Sequence, residues 1–512
     1  MQIGRYLFGL DRIKNFKEMV DHNTNNEKDE NVKFDFNRDI ISDQDSSQKK
    51  PDTWYLYFVI ATGLITWIVG GGRVVWSSSA LVKFNSTDPA INPLGRPITT
   101  GETSLLVGLP GIISLPSSFL FTQLSDLVGR KYCLQIIGIL SFFGYIGLAF
   151  SSSVPIIITF LTILSYVLGG IMCVFPIYLT EICEDHNRAK YGCLLAACFF
   201  LGQLYTNAIG PLFHIRYYTL LVAAPLLFFL IFFNFAPETP VYLCTKGKKE
   251  ECMKALKKLR GNKSGSELEK DFTSIIQNVP SLKSGKKPNM SQLFFTKEGR
   301  FGLLLSSLAM LFQLMSGGSV LVPLMAPIFN QFKSVVNGEI VAVSISTLKV
   351  ISLFTTVFII ERIGRRPLLI ISSIGSGIPM AILGTFLYFQ YIGSSIINEI
   401  EWLPFVAILI YYVMFGIGLS PIPIPMISVL SPIELQSASN TLVFTVTNFL
   451  LAVFQAVYPL ISEKFGPQWC MWIFALSCFI GAVVFYWLLP ETKGKSYEEI
   501  QQILRNHRYL KV

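Results

Sequence analysis

The sequence predicts an all-α membrane protein with twelve transmembrane helices, and three observations carry that prediction. Of its 512 residues, 51% are hydrophobic and 15% are charged, against about 25% charged residues in soluble domains. Apolar runs of roughly 20 residues, long enough to cross a bilayer, recur along the chain. Short polar segments of matching sequence separate those runs at equivalent points. With no water in the hydrocarbon core, each crossing has to satisfy its own backbone, and this selects helices.

The first six spans are read at 54–80, 103–124, 133–150, 154–180, 191–213 and 217–236. A polar loop at 237–299 follows, then spans at 300–330, 338–360, 367–390, 402–430, 437–462 and 468–489. The chain is thus divided into a tail (1–53), six spans (54–236), a loop (237–299), six spans (300–490) and a second tail (491–512). The first tail is charged and polar and has no cleavable signal peptide; Trp54 opens the first span. Within the loop, GKKEECMKALKKLRG is amphipathic and basic, as expected of a cytosolic cap helix.

Orientation follows from the cations. With the N-terminus inside, cytoplasmic segments hold 35 of the 42 Lys and Arg residues. The net charge of +9 is therefore mainly topology, and no nucleic-acid motif accompanies it. The nine cysteines fall in spans or on the cytoplasmic side, so no disulfide or zinc framework is expected. Asn85-Ser86-Thr87 is a glycosylation sequon in the first outside loop, whereas the sequons at Asn262 and Asn289 fall inside. There is no phosphate loop, metal cluster or nucleophile with a base. No enzyme, cofactor or metal site is expected.

The two halves repeat their punctuation. SDLVGRKY follows the second span and ERIGRRPL the eighth; PETPVYL follows the sixth and PETKGKS the twelfth. Acids and arginines at matched helix ends can pair across the halves when the inside is closed and part when it opens; a lone such turn would only anchor a helix end.

These motifs, with PIYLTE at 176–181 and WSSSALVKF at 76–84, resemble the sugar porter family of the major facilitator superfamily. Among its members the chain is most similar to the insect facilitated trehalose transporter-like proteins, and the resemblance covers residues ~54–500. It implies two pseudo-symmetric six-helix bundles (the major facilitator fold) and alternating access to a solute site near the midplane. It carries gate roles onto Asp126, Gly129, Arg130, Lys131, Glu181, Arg188 and Glu238 in the first half. In the second half these roles fall on Glu361, Arg362, Gly364, Arg365, Arg366 and Glu491. Leu127 departs from the family arginine. Val429 and Gln436 replace a glutamate and an arginine, so one corner has lost both charges together. Neither is left buried and unpaired, which is the inexpensive way to lose a salt bridge.

The solute site is thinned relative to the family. Sugar hydroxyls are recognised by amides and hydroxyls. Gln313 keeps one seventh-span amide; Leu314 replaces the second and Ser319 replaces an Asn. Pro323 and Leu324 stand at two usual aromatics and Ile424 at the tenth-span Trp. The eighth-span amide is Lys349. The eleventh-span Asn is Thr447, with Asn448 one step on. The fifth-span Gln is Ala196, with Gln203 two turns away on the same face. PIPIP at 421–425 is expected to break the tenth helix and line the cavity, the alternative being a structural kink.

Two departures concern charge. Gly72 stands where proton-coupled relatives carry an aspartate, so uncoupled transport is expected. Arg73 lies beside it, and the fourth-span arginine of the family is Leu161; Arg73 is expected to supply the missing charge. Arg73 and Lys349 are the cations deep in spans, and a group at that depth is by default a site candidate. For each the alternative is snorkelling or pairing with a carbonyl. Three functions stay open at this level: a sugar uniporter at the plasma membrane, a carrier of an organic anion or acidic sugar derivative, and a solute receptor that does not transport. The oligomeric state is undetermined.

Overall fold

In a computed structural model the chain is described over residues 52–512 other than 262, 279–296, 333–335, 432–435, 492, 494–498, 500–501 and 503–512. Only the backbone is described at Asp185, His186, Arg188, Ala189 and Glu361, among others. Two compact units result, Met1–Tyr57 with Pro237–Lys283, and Phe58–Ala236 with Ser284–Val512. Both sets of six spans, from Phe58 onward, therefore belong to one unit.

The first half of the larger unit comprises α1 (Trp54–Phe84), α2 (Thr100–Ile113), α3 (Ser117–Val128), α4 (Arg130–Ala149), α5 (Val154–Ile182), α6 (Asp185–Ile209) and α7 (Ile215–Phe232). α2 and α3 form one span, Thr100–Val128. Helices α8 (Pro240–Thr245), α9 (Lys249–Leu259) and α10 (Gly265–Asn278) form the linker. In the second half, the seventh span is divided among α11 (Lys297–Met315), α12 (Gly318–Leu321) and α13 (Met325–Phe329). Then come α14 (Gly338–Ile363), α15 (Arg365–Tyr391), α16 (Leu403–Ile417), α17 (Pro423–Leu430), α18 (Gln436–Phe465) and α19 (Pro467–Leu488). Among the described residues ten spans are long and apolar enough to cross a membrane as they stand. The other two of the twelve, the seventh and tenth, are broken.

The seventh-span break corrects the expectation of one helix over 300–330. It falls at Ser316–Gly317, with the two pieces bent by 46°. Gly317 has φ +89°, a region that favours glycine, and a Cβ there would press on the Phe474 ring at 2.6 Å. A break frees carbonyls that need donors in an apolar interior. Side chains from three other helices supply them. Tyr411 Oη donates to Ser316 O at 2.9 Å and Tyr412 Oη to Gly318 O at 3.1 Å. Gln455 Nε2 donates to Ser319 O at 3.2 Å and Ser477 Oγ to Met315 O at 2.6 Å.

The tenth-span break begins at Gly418, three residues before PIPIP; Pro423 instead opens α17 at its first turn, where a proline loses no hydrogen bond. Here Ser372 Oγ donates to Met414 O at 2.7 Å and accepts Leu419 N–H at 2.9 Å. Thr356 Oγ1 donates to Gly416 O at 3.0 Å.

The sequence repeat is also a backbone repeat. Gly129 opens α4 at φ 106°, ψ 157°, and Gly364 opens α15 at φ 100°, ψ 164°. Both turns use a positive φ that L side chains rarely adopt.

In the linker unit, Leu243, Cys244, Cys252, Leu256, Leu268 and Phe272 pack into a small core. Asp271 joins Arg260 Nη1 at 2.6 Å and Lys263 Nζ at 2.9 Å. Burial pushes its carboxyl up, but hydrogen bonds from Lys263 and Arg260 and their charges hold it below its ordinary value.

Candidate solute site and the seams between the halves

Among the described residues the two six-span halves meet chiefly along two seams with different chemistry, and Ala326 N–H also donates to Ser78 Oγ at 3.0 Å between α13 and α1. At α2–α18 the backbones approach closely. A Cβ on Gly108 would collide with Ala456, and one on Gly111 would lie 2.8 Å from Ala452 Cβ. Ser104 Oγ donates to Ala456 O there. At α6–α14 the contacts are polar. Asn207 Nδ2 donates to Ser346 Oγ at 2.8 Å and to Ala342 O at 3.3 Å. One turn away, Lys349 Nζ donates to Gln203 Oε1 at 3.3 Å.

Lys349 lies mid-span, half-buried, with its ammonium 5.0 Å from the centroid of the Tyr412 ring. A cation over a tyrosine face and beside an amide oxygen is stabilised without a carboxylate. Among the described residues no acid is within ion-pair distance of it. Tyr412 in turn holds Gly318 O, so the cation is coupled through one ring to the seventh-span break. Gln203 is buried at 3% exposure. The structure therefore brings Gln203 and Lys349 together from opposite halves.

Gln313 is also present at the break, but its Nε2 donates to Ser420 O at 3.0 Å and ties the two broken spans together. Its amide oxygen and its second N–H remain for a solute. Ser319 is half-buried with its carbonyl taken by Gln455. Asn448 lies four residues before Ala452 and seven before Gln455, on the α18 face that those residues turn to the other helices. Thr447 is about 100° away from it. Asn448 is exposed and Thr447 half-buried, and no described contact joins either to Lys349.

Arg73 is placed elsewhere. It is buried, and its Nη2 donates to Leu161 O at 3.2 Å and to Ser165 Oγ at 2.7 Å. The guanidinium thus reaches the very position where the family arginine is missing, but it is held inside the first half and away from Lys349. Carbonyl and hydroxyl pairing is what a buried cation needs in the absence of an acid. At Gly72 a Cβ would meet Thr206 Oγ1, so the space of a first-span acid is already filled.

The gate motifs form one cluster in each half. Arg130 pairs with Asp126 at 3.0 Å and with Glu181 at 3.1 Å, and Lys131 donates to Asn234 O at 2.7 Å. In the second half the Glu491 carboxylate accepts the N–H groups of Arg365 (3.2 Å) and Arg366 (3.1 Å), capping the start of α15 with a negative charge. Arg366 also donates to Tyr486 O, and the exposed Arg362 offers its carbonyl to Lys493. In the linker unit Glu238 Oε1 accepts Thr239 N–H at 2.9 Å. The described contacts of Arg130, Lys131, Arg365, Arg366 and Glu491 lie within their own halves. The side chains of Arg188 and Glu361 lie outside the described residues.

Sequence reasoning missed Tyr411, Tyr412, Gln455, Asn207 and Ser346. The signal for the tyrosines was their position in the middle of a span, where a hydroxyl needs a partner.

Twelve spans, two of them broken, around a polar midpoint between two repeated halves define a membrane carrier of the major facilitator fold. The "Sugar (and other) transporter" family model matches residues 14–504, and the chain belongs to that family. It is 25% identical over 435 residues to a facilitated trehalose transporter Tret1-2 homolog of Drosophila sechellia, covering 85% of this chain and 88% of that one. It is 27% identical over 436 residues to the facilitated trehalose transporter Tret1 of Bombyx mori, covering 83% and 84%. Its fold is similar to the inward open xylose transporter XylE of E. coli, with TM-score 0.70 and 20% identity over 88% of this chain and 99% of that one. A crystal structure of a D-xylose-proton symporter matches with TM-score 0.66 and 18% identity, over 86% and 100%.

Proposed function

We propose that the chain is a facilitative, uncoupled sugar carrier of the plasma membrane, working by alternating access, with both termini cytoplasmic. The observation that carries this reading is the mid-span meeting of Gln203 and Lys349 from opposite halves, beside a broken helix. Such a place can be exposed to either side as the halves rock. The trehalose transporters among the relatives favour a neutral sugar, which Gln313, Ser319, Gln203 and Asn448 would hold through amide and hydroxyl groups. The filled space at Gly72 favours uncoupled movement. Asp126, Arg130, Glu181, Arg365, Arg366 and Glu491 would serve as the cytoplasmic gate. Asn85 is exposed just beyond α1, as a glycosylated residue has to be.

The test is uptake into liposomes holding the purified full chain, with labelled trehalose and glucose. Uptake should follow the sugar gradient and be unchanged by an imposed proton gradient; uptake that a proton gradient drives uphill refutes the uncoupled reading.

Lys349 favours a second reading, in which the solute carries an acidic group. A cation held by neutral partners has capacity for an anion. Lys349→Asn should then abolish uptake of a labelled uronic or aldonic acid by more than about tenfold, because a buried charge pair is lost. Acid uptake that survives the change removes this reading.

A further inference from the structure

The α6–α14 seam carries contacts with no role in the site just described. Asn207 is buried at 4% exposure and sits one turn beyond Gln203; Ser346 is buried at 2% and lies one turn before Lys349. Ala342 O can only accept, so the nitrogen of the Asn207 amide faces α14. Ser346 Oγ gives its own proton to Ala342 O at 2.9 Å, leaving its lone pair for Asn207. The network is thereby fixed in one direction. Its last member, Asn207 Oδ1, is buried and accepts no hydrogen bond from the described residues.

We propose that Asn207, with Ala342 and Ser346, is a releasable latch that holds the α6–α14 seam closed and sets how often it opens. This rests on the alternating-access reading. Closure gains two hydrogen bonds between the halves. It also holds one amide oxygen away from water, and a buried unpaired acceptor costs about as much as a hydrogen bond supplies. Opening returns that oxygen to water, along with the Asn207 donor. The balance is therefore small, as a seam that opens in each cycle requires. Opening also separates Gln203 from Lys349, so releasing the latch frees the cation at the site.

A reporter cysteine introduced as Ala342→Cys keeps the carbonyl that the latch uses and is shielded while the seam is closed. Its alkylation by a polar maleimide is followed in the full chain in liposomes, corrected for the chain without the reporter. Asn207→Leu removes both hydrogen bonds and should speed alkylation about tenfold. Ser346→Ala removes one and should speed it about threefold. If Asn207→Leu elutes as an aggregate, Ser346→Ala decides alone. Rates within twofold of the parent overturn the latch. Counterflow by the parent separates the two failures: a parent that transports with unchanged alkylation sinks the latch only, and a parent without counterflow sinks the carrier reading.

Discussion

The two seams close the same pair of halves by opposite means. At α2–α18, glycine faces alanine and the backbones touch; at α6–α14, amides and a hydroxyl meet across the gap. Close packing is lost when one atom is added, because there is no free volume to take it. A polar seam can take a change of size more easily than a change of polarity, because each of its bonds is chosen by donor and acceptor. Water can replace the hydrogen bonds of the second seam when it opens, but it cannot replace the dispersion contacts of the first. The first seam is thus a test of fit, and the second is a place where energy can be tuned.

Three substitutions break or sharpen this contrast. The largest effect is expected from Gly108→Val, which pushes α2 off Ala456. Overpacking of about 1–3 kcal/mol in the closed form should lower sugar counterflow by more than about tenfold. Near-parental counterflow would mean that the close seam is not needed. Gln203→Leu removes the acceptor of Lys349 and should reduce counterflow about fivefold, with little change in thermal stability. An equal loss in melting temperature and in counterflow would assign Gln203 to packing alone. Ser104→Ala has the smallest effect, about twofold or less. It leaves Ala456 O within its own helix ladder and adds no atom to the close seam. A loss as large as that of Gly108→Val would show that the first seam too depends on polarity.

Most of the fold was legible because hydropathy and helix length read directly as membrane spans. The repeat of GRK and GRR predicted equivalent turns, and Gly129 and Gly364 share one backbone conformation. The breaks were less legible. The break at Gly317 depends on donors from Tyr411, Tyr412, Gln455 and Ser477, far away in sequence. PIPIP pointed to the right region: Gly418 ends the helix, Pro421 and Ile422 lie in the break, and Pro423 starts the next piece.

The site was legible in part. Lys349 stood out because a mid-span cation is costly, and Gln203 lay on a face set by helical spacing. Arg73 stood out for the same reason, yet it serves the interior of the first half. Depth alone does not say which neighbour a cation will find. Asn207 and Ser346 gave no signal, because a small polar residue in a span reads the same whether it faces its own helix or another half.

The most direct measurement joins the latch to transport. Asn207→Cys with Ser346→Cys places one thiol on each side of the seam, where an amide and a hydroxyl already meet at 2.8 Å. With the bond formed by a mild oxidant and verified by mass spectrometry, counterflow of labelled sugar should stop, and reduction should restore it. Full counterflow with the disulfide intact would contradict the account, because the solute would then pass without the halves parting at this seam.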